Sequence, residues 1–183
     1  LHFDRMLVDA DFDAGILCFD SESGGNAEQV ACQTVFGCDG APSALRQAMV
    51  SRKGLQASMD LLEHGYKELL FPASASGEYA IEKHALHIWP RGRHMLMALP
   101  NLDGSFTGTI YLPNSGEESF ASLSSATAVE AFFARYFSDT LALLPDLTRE
   151  FLANPVGVLG TVRAWPWSCE DRALLIGDAS HAI

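Results

Sequence analysis

The pattern of hydrophobic and polar residues predicts three short strands in the first 36 residues. Turns rich in glycine, serine and aspartate, at residues 9–15 and 21–26, separate these strands. The first strand is predicted at residues 1–8. The last, at 30–36, is apolar and β-branched enough for a central strand of a sheet.

A tight turn at residues 37–40 follows and leads into a helix predicted from 42 to 49, because Pro42 suits the first turn of a helix. At the other end of the chain, strands are predicted at 158–167 and 173–176. The residues after Asp178 are typical of the start of a helix. Together the two ends of the chain are expected to form one α/β part.

Between these ends, the alternation of apolar and polar residues predicts an antiparallel meander. Short turns at Arg91-Gly92 and at residues 101–104 connect its later strands. The strands are predicted at residues 66–72, 85–90, 93–99 and 105–112.

A helix is predicted at residues 127–137, where apolar residues recur at helical spacing. We interpret this stripe as core packing. Its members are Val129, Phe132, Phe133, Tyr136 and Phe137. The predicted division of the chain is residues 1–50 and 156–183 in the α/β part, with 51–155 as an inserted antiparallel-sheet domain.

The chain is expected to be a fragment of a longer protein. It begins inside a predicted strand and ends one turn into a predicted helix, which would have few internal hydrogen bonds. No basic segment precedes an apolar stretch at the start, so no signal peptide is predicted.

Composition and charge narrow the class of protein. Apolar residues make up 48% of the 183 residues and charged residues 19%, which excludes a disordered tail or a collagen. Lys and Arg number 12 against 23 Asp and Glu, a net charge of −11, which argues against nucleic acid or an anionic membrane as partner. No apolar run approaches the about 18 residues of a membrane helix. A cytoplasmic location is expected.

The cysteines and histidines give no sign of a metal site. The four cysteines form no C-x-x-C pair and are expected to be buried, reduced thiols. His84 and His87 lie three residues apart in a predicted strand, so their rings would point to opposite faces. We therefore predict no metal. The cysteines are Cys18, Cys32, Cys38 and Cys169.

Known catalytic motifs are also missing from the sequence. It contains no G-x-G-x-x-G, no G-x-x-x-x-G-K-[ST], no H-E-x-x-H and no G-x-S-x-G. Asp178, Ser180 and His181 are the residue types of a hydrolase triad. Because they are nearly adjacent on one turn, they cannot form the relay that a triad needs.

Two turns carry residues suited to binding a ligand. In the first, Asp39 lies between Gly37 and Gly40, where the backbone can approach another group closely. The Asp39 carboxylate could bind a ligand or cap the following helix, and the local sequence leaves both roles open. Arg46 could pair with Asp39 or reach a phosphate.

The second turn is Gly177-Asp178, directly after the last predicted strand. Ligands of open α/β sheets bind at the carboxyl ends of strands. Gly177 leaves room for a ligand, and the Asp178 carboxylate can accept hydrogen bonds from hydroxyls of a ribose or ribitol.

The two turns together resemble the internal fingerprints of the single-component FAD-dependent aromatic hydroxylases. The residues concerned are Asp39-Gly40-x-x-Ser43-x-x-Arg46 and residues 177–181, Gly-Asp-Ala-Ser-His. Three meander segments, at 64–69, 86–92 and 97–101, narrow the resemblance to the kynurenine 3-monooxygenases. It covers nearly the whole chain, as the middle two-fifths of such an enzyme. Ser180 departs from the family's usual alanine, and Phe36 is bulkier than the usual aliphatic residue.

The resemblance implies part of a Rossmann-like FAD-binding domain, of α/β (α+β) class, with an inserted antiparallel-sheet substrate domain. It implies FAD as cofactor, NADPH as co-substrate, and hydroxylation of L-kynurenine to 3-hydroxykynurenine in tryptophan catabolism and NAD biosynthesis. The glycine-rich dinucleotide motif is not in the chain, so the isolated fragment is expected to be inactive. The oligomeric state is left open.

The resemblance also assigns residues to the two sites. The residues implied for cofactor binding are Asp178, Gly177, Asp39, Gly40 and Arg46. Those implied for the aromatic substrate pocket are Leu86, Met97, Leu99 and Tyr111. The alternative for the second set is plain core packing. No catalytic acid or base is assigned.

Two other functions stay open on the sequence. One is an FAD-dependent hydroxylase that acts on a phenol, although the segment Ile88-Trp89-Pro90-Arg91 favours kynurenine. The other is a non-catalytic sheet domain that binds an apolar ligand or a partner protein, in which Asp39 and Asp178 would have no role.

Overall fold

A computed structural model of the chain describes residues 1–21, 23–24 and 27–183, so part of the predicted turn at 21–26 lies outside the described residues. The chain forms two compact units. The first contains residues 1–61 and 160–183, and the second contains 62–159. The inserted domain predicted at 51–155 stays a prediction.

The secondary structure of the described residues is mixed, with strands in the majority. The strands are β1 (Met6–Asp11), β2 (Ile16–Asp20), β3 (Glu28–Ala31), β4 (Val35–Gly37), β5 (Gln56–Phe71), β6 (His87–Arg91), β7 (His94–Pro100), β8 (Phe106–Pro113), β9 (Gly157–Trp165), β10 (Ser168–Cys169), β11 (Ala173–Leu175) and β12 (His181–Ala182). The helices are α1 (Ala44–Lys53), α2 (Ala126–Tyr136) and α3 (Leu147–Ala153), with 3₁₀ helices at Ser138–Leu143 and Gly177–Ala179.

In the first unit, β1, β2 and β3 form an antiparallel sheet. A second sheet has the order β10-β11-β4, in which β11 runs parallel to β4. Helix α1 packs Leu45 and Met49 into a core shared with Ala10, Phe12 and Leu175. Short β12 pairs with the part of β9 that belongs to this unit.

Helix α1 has clear start and stop signals. The Ser43 hydroxyl accepts a hydrogen bond from the backbone N–H of Arg46, which caps the first turn. Gly54 ends the helix in the left-handed conformation with φ +71°, where a side chain would be strained. The helix therefore starts two residues later than predicted and runs four residues further, to Lys53.

In the second unit, the strands are ordered β9-β5-β8-β7-β6. Each of the pairs β5–β8, β8–β7 and β7–β6 is antiparallel. Strands β6, β7 and β8 form the predicted meander, but β5, which was predicted as its first strand, lies beside β8 and not beside β6. Helices α2 and α3 cover one face of this sheet. The core between them contains Leu69, Leu96, Ile110, Phe133 and Phe151. The apolar stripe of α2 lies in this core, as predicted.

Several features differ from the sequence-based prediction. The first strand is Met6–Asp11 and not residues 1–8, so the turn predicted at 9–15 is shorter. The prediction of a central strand at 30–36 was wrong, because the segment is divided: β3 pairs with β2 and β4 pairs with β11, and each lies at the edge of its sheet among the described strands. Strand β5 begins ten residues early, and the first eight of these residues, 56–63, are all exposed and so show no alternation of buried and exposed positions. Helix α3 was not predicted. The chain forms a 3₁₀ turn at Gly177–Ala179 and then β12 instead of a helix, because His181 and Ala182 pair with β9.

The four cysteines differ in their burial. Cys169 is buried, but Cys38 is exposed on a turn and Cys18 and Cys32 are half-buried, so the prediction of buried thiols was wrong for three of them. Burial raises the pKa of the Cys169 thiol.

No helix in the described ranges is long and apolar enough to span a membrane, and these ranges hold no metal-ligating cluster.

Candidate functional site

The two turns singled out in the sequence lie side by side. Parallel strands β4 and β11 place Gly37 opposite Leu175. The backbone N–H of Ile176 donates to the Gly37 carbonyl at 2.9 Å, which extends the pairing to the strand ends. Both strands therefore deliver their following turns to one edge of the sheet, where open α/β folds bind ligands.

Glycine at the start of the first turn leaves room for close packing. A Cβ atom at Gly37 would lie 2.6 Å from the Cδ2 of Leu45 and 3.1 Å from the Cδ2 of Leu175. Gly40 and Gly177 have φ values of +75° and +62°, in the left-handed region that side chains disfavour. The glycines thus allow both the tight packing of α1 on the sheet and the sharp turns.

The structure gives Asp39 a capping role. One carboxylate oxygen of Asp39 accepts from the Ser43 hydroxyl at 2.6 Å. The other accepts from the backbone N–H of Leu45 at 3.1 Å. Of the two roles left open by the sequence, capping of α1 is the one that the hydrogen bonds show.

Arg46 connects the two turns. Its side chain is buried, with 5% exposed, and one Nη donates to the Ala179 carbonyl at 2.8 Å while the other donates to the Ala41 carbonyl. Burial lowers the pKa of the Arg46 guanidinium, and the nearby charge of Asp39 opposes that shift. Arg46 hydrogen-bonds to neither Asp39 oxygen; it ties the turn before α1 to the turn after β11.

Asp178 differs from Asp39 in having its carboxylate free. The residue is exposed, and its carboxylate forms no hydrogen bond or ion pair with the described part of the chain. A Cβ at neighbouring Gly177 would meet nothing within 4 Å, so the space beside Asp178 is open. Below it, the Ser180 hydroxyl donates to the Gly177 carbonyl at 2.8 Å and orders the turn. The arrangement presents a carboxylate that can accept hydrogen bonds from sugar-type hydroxyls.

The predicted substrate residues lie on the open face of the sheet in the second unit. Met97 and Tyr111 are half-buried and belong to neighbouring strands, where Met95 is the direct partner of Tyr111. Leu99 and Leu86 are 46% and 51% exposed, and Leu86 immediately precedes β6. The alternating residues of β7, such as Leu96, are buried under the helices instead. All four predicted residues therefore lie outside the core.

Tyr66 is a residue of the open face that sequence reasoning missed. It is the cross-strand partner of Tyr111, with ring centroids 6.2 Å apart. Its ring lies against β9, because a Cβ at Gly157 would come within 2.3 Å of the ring carbons. The alternation of Tyr66, Lys67 and Glu68 in β5 was the available signal, since only Lys67 of the three is buried.

On the helix-covered face, His94 is buried between aromatic rings. Its ring centroid lies 4.9 Å from that of Phe132 and 5.0 Å from that of Tyr136, in edge-to-face contacts. Burial lowers the pKa of His94, and the charge of Glu118, 3.8 Å from Nε2, opposes the shift. The Glu118 carboxylate also accepts from the Tyr136 hydroxyl and from Arg135.

Comparison with known proteins shows similarity over the whole chain. The chain is 46% identical over 183 residues to the kynurenine 3-monooxygenase of Myxococcus xanthus (strain DK1622), covering 100% of this chain and 39% of that protein. It is 46% identical over 181 residues to the kynurenine 3-monooxygenase of Flavobacterium psychrophilum, covering 99% and 40%. The resemblance to these enzymes is thus confirmed, and the chain spans about two-fifths of their length. No family model matches the chain.

Solved structures show the same fold. The tetrameric form of 2-methyl-3-hydroxypyridine-5-carboxylic acid oxygenase matches with a TM-score of 0.72 and 18% identity, over 98% of this chain and 45% of that one. HpxO of Klebsiella pneumoniae, solved with FAD and uric acid, matches with a TM-score of 0.64 and 15% identity, over 97% and 43%. The predicted mixed α/β fold with a largely antiparallel sheet is confirmed.

Proposed function

We propose that the chain is part of an FAD-dependent monooxygenase that uses NADPH and O₂ to hydroxylate L-kynurenine to 3-hydroxykynurenine. The observation that carries this proposal is 46% identity, along the whole chain, to proteins named kynurenine 3-monooxygenase. The geometry supports it, because one unit has a free carboxylate at a strand-end turn and the other has an open apolar sheet face.

In this proposal, Asp178 contacts the cofactor directly. Its carboxylate would accept hydrogen bonds from ribityl hydroxyls of FAD, for which the open space at Gly177 leaves room. Asp39, Gly40 and Arg46 would shape the neighbouring turn, since their polar groups are used within the fold. Bound FAD would supply the oxygen chemistry, and the protein would bind, orient and exclude water.

The open face would hold the aromatic ring of the substrate. Met97, Leu99 and Leu86 offer an apolar surface, and Tyr111 adds an aromatic ring at its edge. Water excluded by such a surface cannot divert the oxidising reaction to hydrogen peroxide. These side chains therefore bind the ring and keep the reaction coupled to product.

The experiment that tests this function uses the purified full-length enzyme containing this chain. We expect bound FAD in its visible spectrum and NADPH oxidation that depends on L-kynurenine, with 3-hydroxykynurenine as product by mass spectrometry. A simple phenol, offered in parallel, should not be hydroxylated. Hydroxylation of the phenol with no reaction on kynurenine would contradict the proposal.

A further inference from the structure

The open face of the second unit is organised in rows across the strands. The middle row runs from Ile88 in β6 through Met97 in β7 and Thr109 in β8 to Glu68 in β5, by direct cross-strand pairing. On each side of it lies a row without a charge. These flanking rows are Pro90, Met95, Tyr111 and Tyr66 on one side and Leu99, Thr107 and Leu70 on the other.

Glu68 is the one charged side chain among the described residues of these three rows. It is exposed, and its carboxylate has no hydrogen bond or ion pair with the described residues. The adjacent cation does not neutralise it, because Lys67 points to the opposite face and donates to the Phe151 carbonyl in the core. Its cross-strand neighbour, Thr109, offers a half-buried hydroxyl that likewise has no partner in the described ranges.

A carboxylate can only accept hydrogen bonds, and a hydroxyl can also accept one. A ligand whose ring lies on the apolar rows would therefore meet an acceptor at Glu68 and Thr109. A donor group on that ring, such as an aromatic amine, satisfies these acceptors. A ring with a carboxylate at the same position would be repelled, since two like charges would be brought together on a largely apolar surface.

We propose that Glu68, assisted by Thr109, binds the ring amine of an aminoaryl substrate and so selects it over rings without a donor. This inference rests on the proposed function and adds a specificity-determining residue to it. The binding preference comes from one charge-assisted hydrogen bond, of the kind that is strong because one partner is ionised.

The test is calorimetric titration of the full-length enzyme with two ligands, L-kynurenine and the same molecule lacking the ring amine. We expect Glu68→Gln to weaken kynurenine binding about tenfold and to leave the desamino ligand unchanged. The control is Glu63→Gln, an exposed carboxylate on the same strand that lies 3.8 Å from Arg93. It should change neither affinity.

The outcomes separate the two proposals. If the unsubstituted enzyme does not bind kynurenine, the proposed function fails, and this inference fails with it. If that enzyme binds kynurenine but Glu68→Gln changes both ligands equally, or neither, the function stands and the role of Glu68 is refuted. Thr109→Val should give a smaller loss in the same direction, confined to kynurenine.

Discussion

Two aspartates that look equivalent in the sequence have different surroundings in the structure. Asp39 and Asp178 each follow a strand and a glycine, and the two strands are parallel neighbours. Both oxygens of Asp39 are used by the first turn of α1. The Asp178 carboxylate has no partner in the described part of the chain. An aspartate in such a motif can thus be assigned a structural or a ligand-binding role by counting the hydrogen bonds that its carboxylate oxygens already accept.

The same contrast separates the two faces of the sheet in the second unit. Leu96 and Met97 are neighbours in β7, but Leu96 is fully buried under the helices while Met97 lies on the open face. A side chain that is buried or hydrogen-bonded inside the fold should affect stability when it is substituted. A side chain that has no such contacts should affect ligand binding instead. Each prediction below tests one side of this contrast in the full-length enzyme.

The largest effect is expected from the adjacent pair in β7. Leu96→Ala should destabilise the protein by about 2–5 kcal/mol, because it leaves a cavity in the core. Met97→Ala should cost much less stability but raise the KM for kynurenine and the peroxide released per NADPH. Thermal unfolding and a peroxide assay measure the two responses. A plain loss of stability for Met97→Ala, with coupling unchanged, would assign Met97 to the core.

Arg46→Met tests the connection between the two turns. It leaves the Ala41 and Ala179 carbonyls without their donor, and we expect a destabilisation of about 3 kcal/mol. The matched control is Arg52→Met on the same helix, where the ion pair with Asp9 is exposed to solvent and should contribute far less to stability. Equal shifts of the unfolding midpoint for the two variants would show that Arg46 does not stabilise the fold by connecting the two turns.

Asp39→Ala tests the capping role. Removing the acceptor of the Ser43 hydroxyl and the Leu45 N–H should lower stability by about 1–2 kcal/mol. Denaturant titration measures this change. If stability were unaffected while FAD affinity fell, Asp39 would be a ligand residue and the contrast with Asp178 would be lost.

The smallest effect is the pH dependence due to His94. Because burial lowers its pKa in the folded protein, the unfolded chain binds more protons around the ordinary value of 6.5. This contribution to stability is full above about pH 6.5 and is lost as the pH falls through the folded-state pKa. His94→Phe should flatten the stability profile below about pH 6.5. An unchanged slope would mean that His94 does not titrate differently on folding.

Local patterns predicted the meander of β6, β7 and β8 and the two turns, because alternation and glycine placement are visible over a few residues. They did not predict that β5 lies beside β8, since that pairing joins distant parts of the sequence. The role of Asp39 was not decided, since it depends on how the backbone folds Ser43 and Leu45 back onto the carboxylate. The hydrogen bonds that Arg46 donates to the two turns could not be predicted at all. One of its acceptors, Ala179, lies 133 residues away.

The residues that contact His94 and Tyr66 could not be predicted from the sequence for the same reason. The Tyr66 ring packs on Gly157, a residue from another part of the chain. His94 is enclosed by rings of α2. A single sequence gives the face on which a residue lies, while its partners follow only from the tertiary fold.

The most direct test of the account is the affinity of the apoenzyme for FAD with and without Asp178. Flavin fluorescence titration should show that Asp178→Ala weakens FAD binding by about 1.5–3 kcal/mol, the value of a hydrogen bond to a charged group. Its thermal stability without FAD should not change, because the carboxylate has no partner in the described residues. Undiminished FAD affinity in the Asp178→Ala enzyme would contradict the assignment of this turn to the cofactor.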